Sequence, residues 1–223
     1  MNRNQLKYIA ALAMLIDHLA WAFVPTTGMA GQAMHFIGRL ADPVMAFFVA
    51  EGYLHTRSVK NYARRLFLFA LISQLPYTLF RRACALPPGL NVIYTLLLGL
   101  LAVWLWDACD WKPVQKVLAV FALCILSLPG DWSFMNVLWP LCFFVFRGNA
   151  REKWLSYWIL AALYAGCMIM WQGTEALFFL GLLCAPLVLR RCSGAPGSGA
   201  AFHKWFFYLF YPGHLLLIWL MKA

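Results

Sequence analysis

Charge is what this sequence has least of. Only 12% of its 223 residues are Asp, Glu, Lys or Arg, against about 25% in an ordinary soluble domain. Too little charge to cover a water-facing surface excludes the soluble globular class. Acidic groups are scarcest, eight Asp and Glu against 18 Lys and Arg. The signatures of familiar soluble chemistry are missing as well. There is no GxSxG, no P-loop, no HExxH and no dinucleotide fingerprint, so no nucleophile elbow, nucleotide cradle or zinc-protease helix is encoded. The seven cysteines include no CxxC pair. They read as small buried hydrophobes, and no zinc or other metal site is visible. No repeat of 20–50 residues is evident.

What is there is apolar. The chain is 64% hydrophobic, with a mean hydropathy of +0.72. Nine apolar runs can be placed, at about 6–24, 36–56, 62–80, 91–106, 114–128, 133–147, 154–171, 175–190 and 205–221. The pattern predicts an all-α, polytopic membrane bundle, one domain over 1–223, with about nine transmembrane helices. The fourth, fifth and eighth runs fall short of the ~20 residues a span usually needs, so eight spans is the alternative. Arg3 and Lys7 followed by an apolar stretch resemble a secretory leader, but the run is long and interrupted by Asp17-His18, so it is read as a retained helix.

The formal net charge of +10 does not point to nucleic acid, because the basic residues sit at the ends of apolar runs. With the N-terminus in the cytoplasm, fourteen of the 18 Lys and Arg fall on the cytoplasmic side, Lys204 among them. Arg81, Arg82 and Lys222 fall outside, and Arg39 lies at the outer mouth of the second run. This asymmetry predicts an N-in layout with the C-terminus outside. The segment 191–204 is rich in Gly, Ser and Pro and reads as a flexible cytoplasmic loop.

Four constellations could carry chemistry. Asp17-His18 sits in the first run, twelve residues past Leu6 and thus roughly 18 Å along a helix, near the bilayer midplane. An ionisable group there costs ~2.5–3.5 kcal/mol on insertion scales and normally faces the bundle interior. Neighbours on a helix point ~100° apart, so the pair is no direct dyad; one can face a cavity while the other pairs with another helix. Both can equally be structural polar groups bonded across helices. The second constellation is Arg39, Asp42, Glu51 and His55 in the second run. Arg39 and Asp42, three apart, could pair on one face, and Arg39 could also meet Asp17. The third is Arg57, Lys60, Arg64 and Arg65, a basic face suited to polyphosphate or to anionic lipid. The fourth is His214, after Pro212 and Gly213 in the last run, again near midplane; Pro and Gly there would loosen the helix and admit a ligand to the backbone. Asn91 and Asn136 are further candidates.

MLIDH in the first run, GRLADPVMAFF and EGYLHTRSVKNYARRL in and after the second, LNVIYTLLLGL in the fourth and FYLFYPGHL in the last resemble the TraX family. Those are inner-membrane proteins of conjugative plasmids that N-acetylate F-type pilin, similar to the wider transmembrane acyltransferases. The resemblance runs over nearly the whole chain. It implies an acetyl-CoA-dependent N-acetyltransferase in the bacterial inner membrane with pilin as acceptor. Position by position, Asp17 and His18 match the Asp-His motif, Arg39 and Pro43 the Gly-Arg motif and its proline, and His214 the terminal histidine. Asp42 departs from the pattern, which carries an apolar or aromatic residue there.

On that resemblance the catalytic set is His18, Asp17, Arg39 and His214. Arg57, Lys60, Arg64 and Arg65 would hold the CoA phosphates. Asp42, Glu51 and Asn91 are the candidate substrate-binding residues, with Asp42 also placed to neutralise Arg39. His18 would act as general base, or would carry the acetyl group itself in a ping-pong scheme. Arg39 or His214 would face the oxyanion. Two other classes fit the same sequence: a pilin chaperone or assembly scaffold without chemistry, and a small-molecule transporter.

Overall fold

The computed structural model describes residues 1–195 and 197–223, with the side chains of Ala201 and Lys204 set aside. Pro196, within the expected loop, and the Lys204 side chain, used in the charge count, lie outside the described residues. The described chain is helical, its one extended contact an isolated pairing of Leu90 with Gly130. In order come α1 (Arg3–Phe23), α2 (Met29–Gly38), α3 (Ala41–His55), α4 (Val59–Ala83), α5 (Val92–Ala108), α6 (Pro113–Ser127), α7 (Met135–Val145), α8 (Ala150–Gln172), a 3₁₀ segment (Gly173–Cys184), α9 (Ala185–Leu189) and α10 (Ala201–Lys222).

Among the described residues, three helical stretches are long and apolar enough to cross a membrane, Arg3–Phe23, Met29–His55 and Ala150–Leu189, while α5, α6 and α7 are apolar but shorter. On α6, Val114, Val117, Leu118, Phe121 and Ile125 stand exposed at helical spacing, an outward apolar stripe of the kind lipid covers. The protein is a helical membrane protein.

The expected single run at 36–56 is two helices. Pro43 explains the break: it has no N–H to bond the carbonyl four residues back, at Arg39, and its ring crowds that carbonyl. Arg39 therefore closes α2, with its N–H bonded to the His35 carbonyl, and Asp42 lies in the first turn of α3. The two lie on successive helices and not on the one unbroken helix that their three-residue spacing had assumed. Conversely, α10 runs unbroken through Pro212, and a Cβ on Gly213 would meet nothing. The helix continues through that point, with open space beside Gly213. The seven cysteines, expected as small buried hydrophobes, are free thiols that are half-buried, except for exposed Cys167.

The backbone groups into two compact units. One comprises Met1–Val44, Leu79–Pro87 and Trp158–Ala223, the other Met45–Thr78 and Pro88–Tyr157.

In the first unit α1 starts on a capping box, Asn2 accepting from the Gln5 N–H and Gln5 from that of Asn2, which satisfies two orphan donors. Its alanines Ala10, Ala11, Ala13, Ala20 and Ala22 are buried and let neighbouring helices approach closely. One such neighbour is α10, which runs parallel to α1. The Tyr8 hydroxyl lies 2.7 Å from His203 Nδ1, His18 meets His214, and Lys222 Nζ donates to the Ala22 carbonyl. Both numberings rise together along the contact. The 3₁₀ segment is bound to α2: Gln32 donates to the Glu175 carbonyl at 2.8 Å and accepts from the Phe178 N–H at 3.0 Å. A Cβ on Gly181 would collide with the Phe36 carbonyl, so only glycine allows this approach. The described part of 191–200 is tied to the N-terminus, Ser193 N–H donating to the Met1 carbonyl and Arg3 N–H to that of Ala195.

The second unit is built on α5, which packs between α6 and α7 around Leu98, Ala102, Val120, Val137 and Leu141. Asn136 Nδ2 donates to Thr95 Oγ1 at 3.0 Å, and Tyr53 donates to Asp107 at 2.6 Å.

Candidate functional site

The first unit gathers the buried polar side chains Asp17, His18, His35, Arg39 and His214 around the middle of α1. Asp17 and His18, adjacent in sequence, face different helices, as a ~100° step requires.

Asp17 faces α2. Its Oδ1 accepts from Arg39 Nη2 at 2.5 Å and from His35 Nδ1 at 2.9 Å. Arg39 also donates from Nε to the His35 carbonyl at 3.3 Å, and its guanidinium lies over Phe178 and Phe179 at 5.1 and 5.2 Å. Gly38 makes the approach possible: any Cβ there would collide with the Asp17 side chain. The ion pair is buried, Asp17 being 8% and Arg39 6% exposed. Such a pair is held by short charge-assisted bonds, and removing one partner strands the other charge.

His18 faces α10 and the end of α4. Its Nδ1 lies 2.7 Å from His214 Nε2, and its ring meets the edge of Phe80 at 5.1 Å. His214 stacks on Phe210 at 4.6 Å and lies edge to edge with His18, the ring centres 4.9 Å apart. Its Nδ1 lies 2.6 Å from the Phe210 carbonyl. These contacts set the proton positions. A carbonyl only accepts, so His214 carries its hydrogen on Nδ1. In a neutral ring that leaves Nε2 as an acceptor, so His18 donates from Nδ1, and His18 Nε2 is left as a bare lone pair. No hydrogen bond engages that nitrogen among the described residues. The arrangement is a two-ring relay ending in a basic nitrogen.

Of the residues singled out from sequence, Asp17, His18, Arg39 and His214 are thus brought together, and Asp42 is buried in the same unit. Arg57, Lys60, Arg64 and Arg65 are exposed on the second unit, with Arg65 over the Tyr62 ring at 5.7 Å. Glu51 is half-buried there, its carbonyl accepting from His55 Nδ1 at 2.8 Å. Asn91, expected to bind substrate, caps α5 through the Ile93 N–H and donates to the Ala70 carbonyl and to Gln74. Its amide is committed to the fold. Sequence reasoning missed His35. The signal is its place four residues before Arg39, on the same helix face, although it stands one residue ahead of the apolar run at 36–56.

The sequence profile of a family described as TraX protein matches residues 2–222. The chain is also 31% identical, over 98% of its length and 97% of the relative's, to a protein of Dichelobacter nodosus named probable fimbrial assembly protein FimC, serogroup H1. No solved structure matches the chain.

Proposed function

The chain belongs to the TraX family, and on that premise we propose that it is a multi-pass inner-membrane acetyltransferase that moves acetyl from acetyl-CoA to the N-terminal amine of a pilin subunit. A relative named for fimbrial assembly supports a pilin-type acceptor. The observation that carries the chemistry is the relay, which leaves His18 Nε2 unprotonated and unbonded beside a buried ion pair.

In the proposed reaction the amine nitrogen attacks the thioester carbon and His18 Nε2 takes a proton from it. The tetrahedral oxyanion then collapses, the C–S bond breaks, and the CoA sulfur leaves with that proton. While His18 holds the proton, the bond to His214 Nε2 lets the two rings share the positive charge. His214 accepts at Nε2 from His18 and commits its Nδ1–H to the Phe210 carbonyl, so of the two candidates Arg39 takes the oxyanion role. Asp17 keeps Arg39 in place. A general base contributes about 10²–10⁴-fold. Arg57, Lys60, Arg64 and Arg65 are the proposed phosphate contacts of acetyl-CoA.

Nine spans with the N-terminus in the cytoplasm is the proposed topology. The parallel run of α1 and α10 supports it: two crossings in one direction need an odd number between them, hence an odd total, which disfavours eight.

The test is intact-mass analysis of pilin made with wild-type protein and with His18→Ala. The acetyl mass should appear only with wild type. A pilin acetylated equally by His18→Ala would defeat the assignment. The relative's name also favours a second reading, assembly without chemistry; unmodified pilin that inserts poorly in the protein's absence would establish it instead.

A further inference from the structure

The Asp17 side of the cluster holds an imidazole for which the proposed reaction has no use. His35 is 0% exposed, clamped between Trp21 at 4.3 Å and Phe178 at 4.9 Å. Its Nδ1 lies 2.9 Å from Asp17 Oδ1. A carboxylate accepts, so the ring donates from Nδ1 and its tautomer is fixed. The other nitrogen, Nε2, is buried with no hydrogen-bond partner. A buried nitrogen left unpaired is a standing cost. If packing against Trp21 and Phe178 were the whole requirement, phenylalanine would meet it without that cost. What an imidazole adds is the Nδ1–H.

That hydrogen has a geometric consequence. One donor on one carboxylate oxygen leaves the group free to turn about its last side-chain torsion. Asp17 Oδ1 receives Arg39 and His35 together, while the Gly38 backbone closes on the same side chain. The carboxylate is then fixed, and with it the guanidinium on one side and the adjacent residue, His18, on the other.

We infer that His35 is a positioning residue for acetyl transfer, acting through its Nδ1–H on Asp17 and thereby on Arg39 and His18. This rests on the acetyltransferase reading. Asparagine places an N–H near the Nδ1 position, glutamine near Nε2, and phenylalanine fills the box with no donor. The assay is acetyl transfer from acetyl-CoA to pilin in membranes, with kcat and KM normalised to folded full-length protein. His35→Asn should stay within about threefold of wild type, whereas His35→Gln and His35→Phe should lose kcat by about 10²-fold at unchanged KM for acetyl-CoA, the loss that ~1 Å of misplacement causes. A packing role predicts the reverse order, with His35→Phe the best tolerated, and that order overturns the inference. If His35→Phe does not accumulate, His35→Gln matching or exceeding His35→Asn overturns it equally.

A second measurement needs no turnover. In the ¹⁵N-histidine spectrum of the full chain, the His35 Nδ1–H signal should survive His18→Ala and be lost in Asp17→Ala. A signal indifferent to Asp17→Ala overturns the inference. A wild-type protein that transfers no acetyl defeats the enzymatic reading, while this spectrum still decides whether His35 holds Asp17.

Discussion

Replacing His214 by phenylalanine isolates the relay from the base it serves. Phe keeps the stacking on Phe210, now 4.6 Å between ring centres, and removes the Nε2 acceptor that lies 2.7 Å from His18 Nδ1. His18 then has a buried N–H with nowhere to donate. Leaving such a donor unpaired costs ~1–3 kcal/mol. That free energy is what holds His18 in the tautomer with a bare Nε2, and its loss corresponds to about 5- to 150-fold in kcat. The ceiling is the whole contribution of a general base, about 10²–10⁴-fold. His214→Gln, whose amide oxygen can accept near the Nε2 position, should recover most of the rate. Single-turnover acetyl transfer read by intact pilin mass is the assay, because it separates chemistry from product release. Since His214 acts only through His18, the double variant His18→Ala, His214→Phe should be no slower than His18→Ala alone. Wild-type kcat in His214→Phe would refute the relay, as would single losses that multiply in the double variant.

Gly38→Ala should break the Asp17–Arg39 contact, because its Cβ has no room beside Asp17; overpacking alone costs ~1–3 kcal/mol, and the thermal midpoint should fall together with activity. Gly213→Ala is the control: its Cβ meets nothing, so activity should hold and helix propensity should add up to ~1 kcal/mol of stability. Lys60→Ala should raise the KM for acetyl-CoA by up to about fivefold with kcat unchanged, from ~1 kcal/mol for an exposed charge contact. Reporters fused to the two ends should register on opposite sides of the membrane; both on one side would exclude an odd number of spans.

Much of the fold was legible because it is local. The nine apolar runs all fall on helical segments, and Asp17 and His18 diverge as helical geometry demands. The break after Gly38 was encoded too, in Pro43, whose missing N–H bears on Arg39. Within the predicted run 36–56, largely apolar despite Arg39, Asp42, Glu51 and His55, a proline kink and a proline break look alike. His35 fell one residue outside that stretch, and a histidine at the edge of an apolar run carries no mark of its burial. Asn91 shows the opposite failure. An asparagine ahead of an apolar run is an N-cap signal, and the capping role accounts for it without a substrate.

The contact between His18 and His214 lay beyond such reading, though its ingredients did not. Each histidine stands near the middle of its own run, and equal depth is what two side chains need to meet across a bilayer. Depth does not make helices neighbours. That takes the rungs above and below, Tyr8 with His203 and Lys222 with Ala22, which set α1 and α10 side by side, parallel and in register over 195 residues of intervening sequence. Shifting α10 by one residue along α1 would turn His214 by ~100° and move it 1.5 Å, enough to lose a 2.7 Å hydrogen bond. The basic nitrogen on His18 therefore depends on contacts one to three turns from it. Variants of Tyr8 or Lys222 that loosen this register should lower the rate without touching any group that meets the substrate.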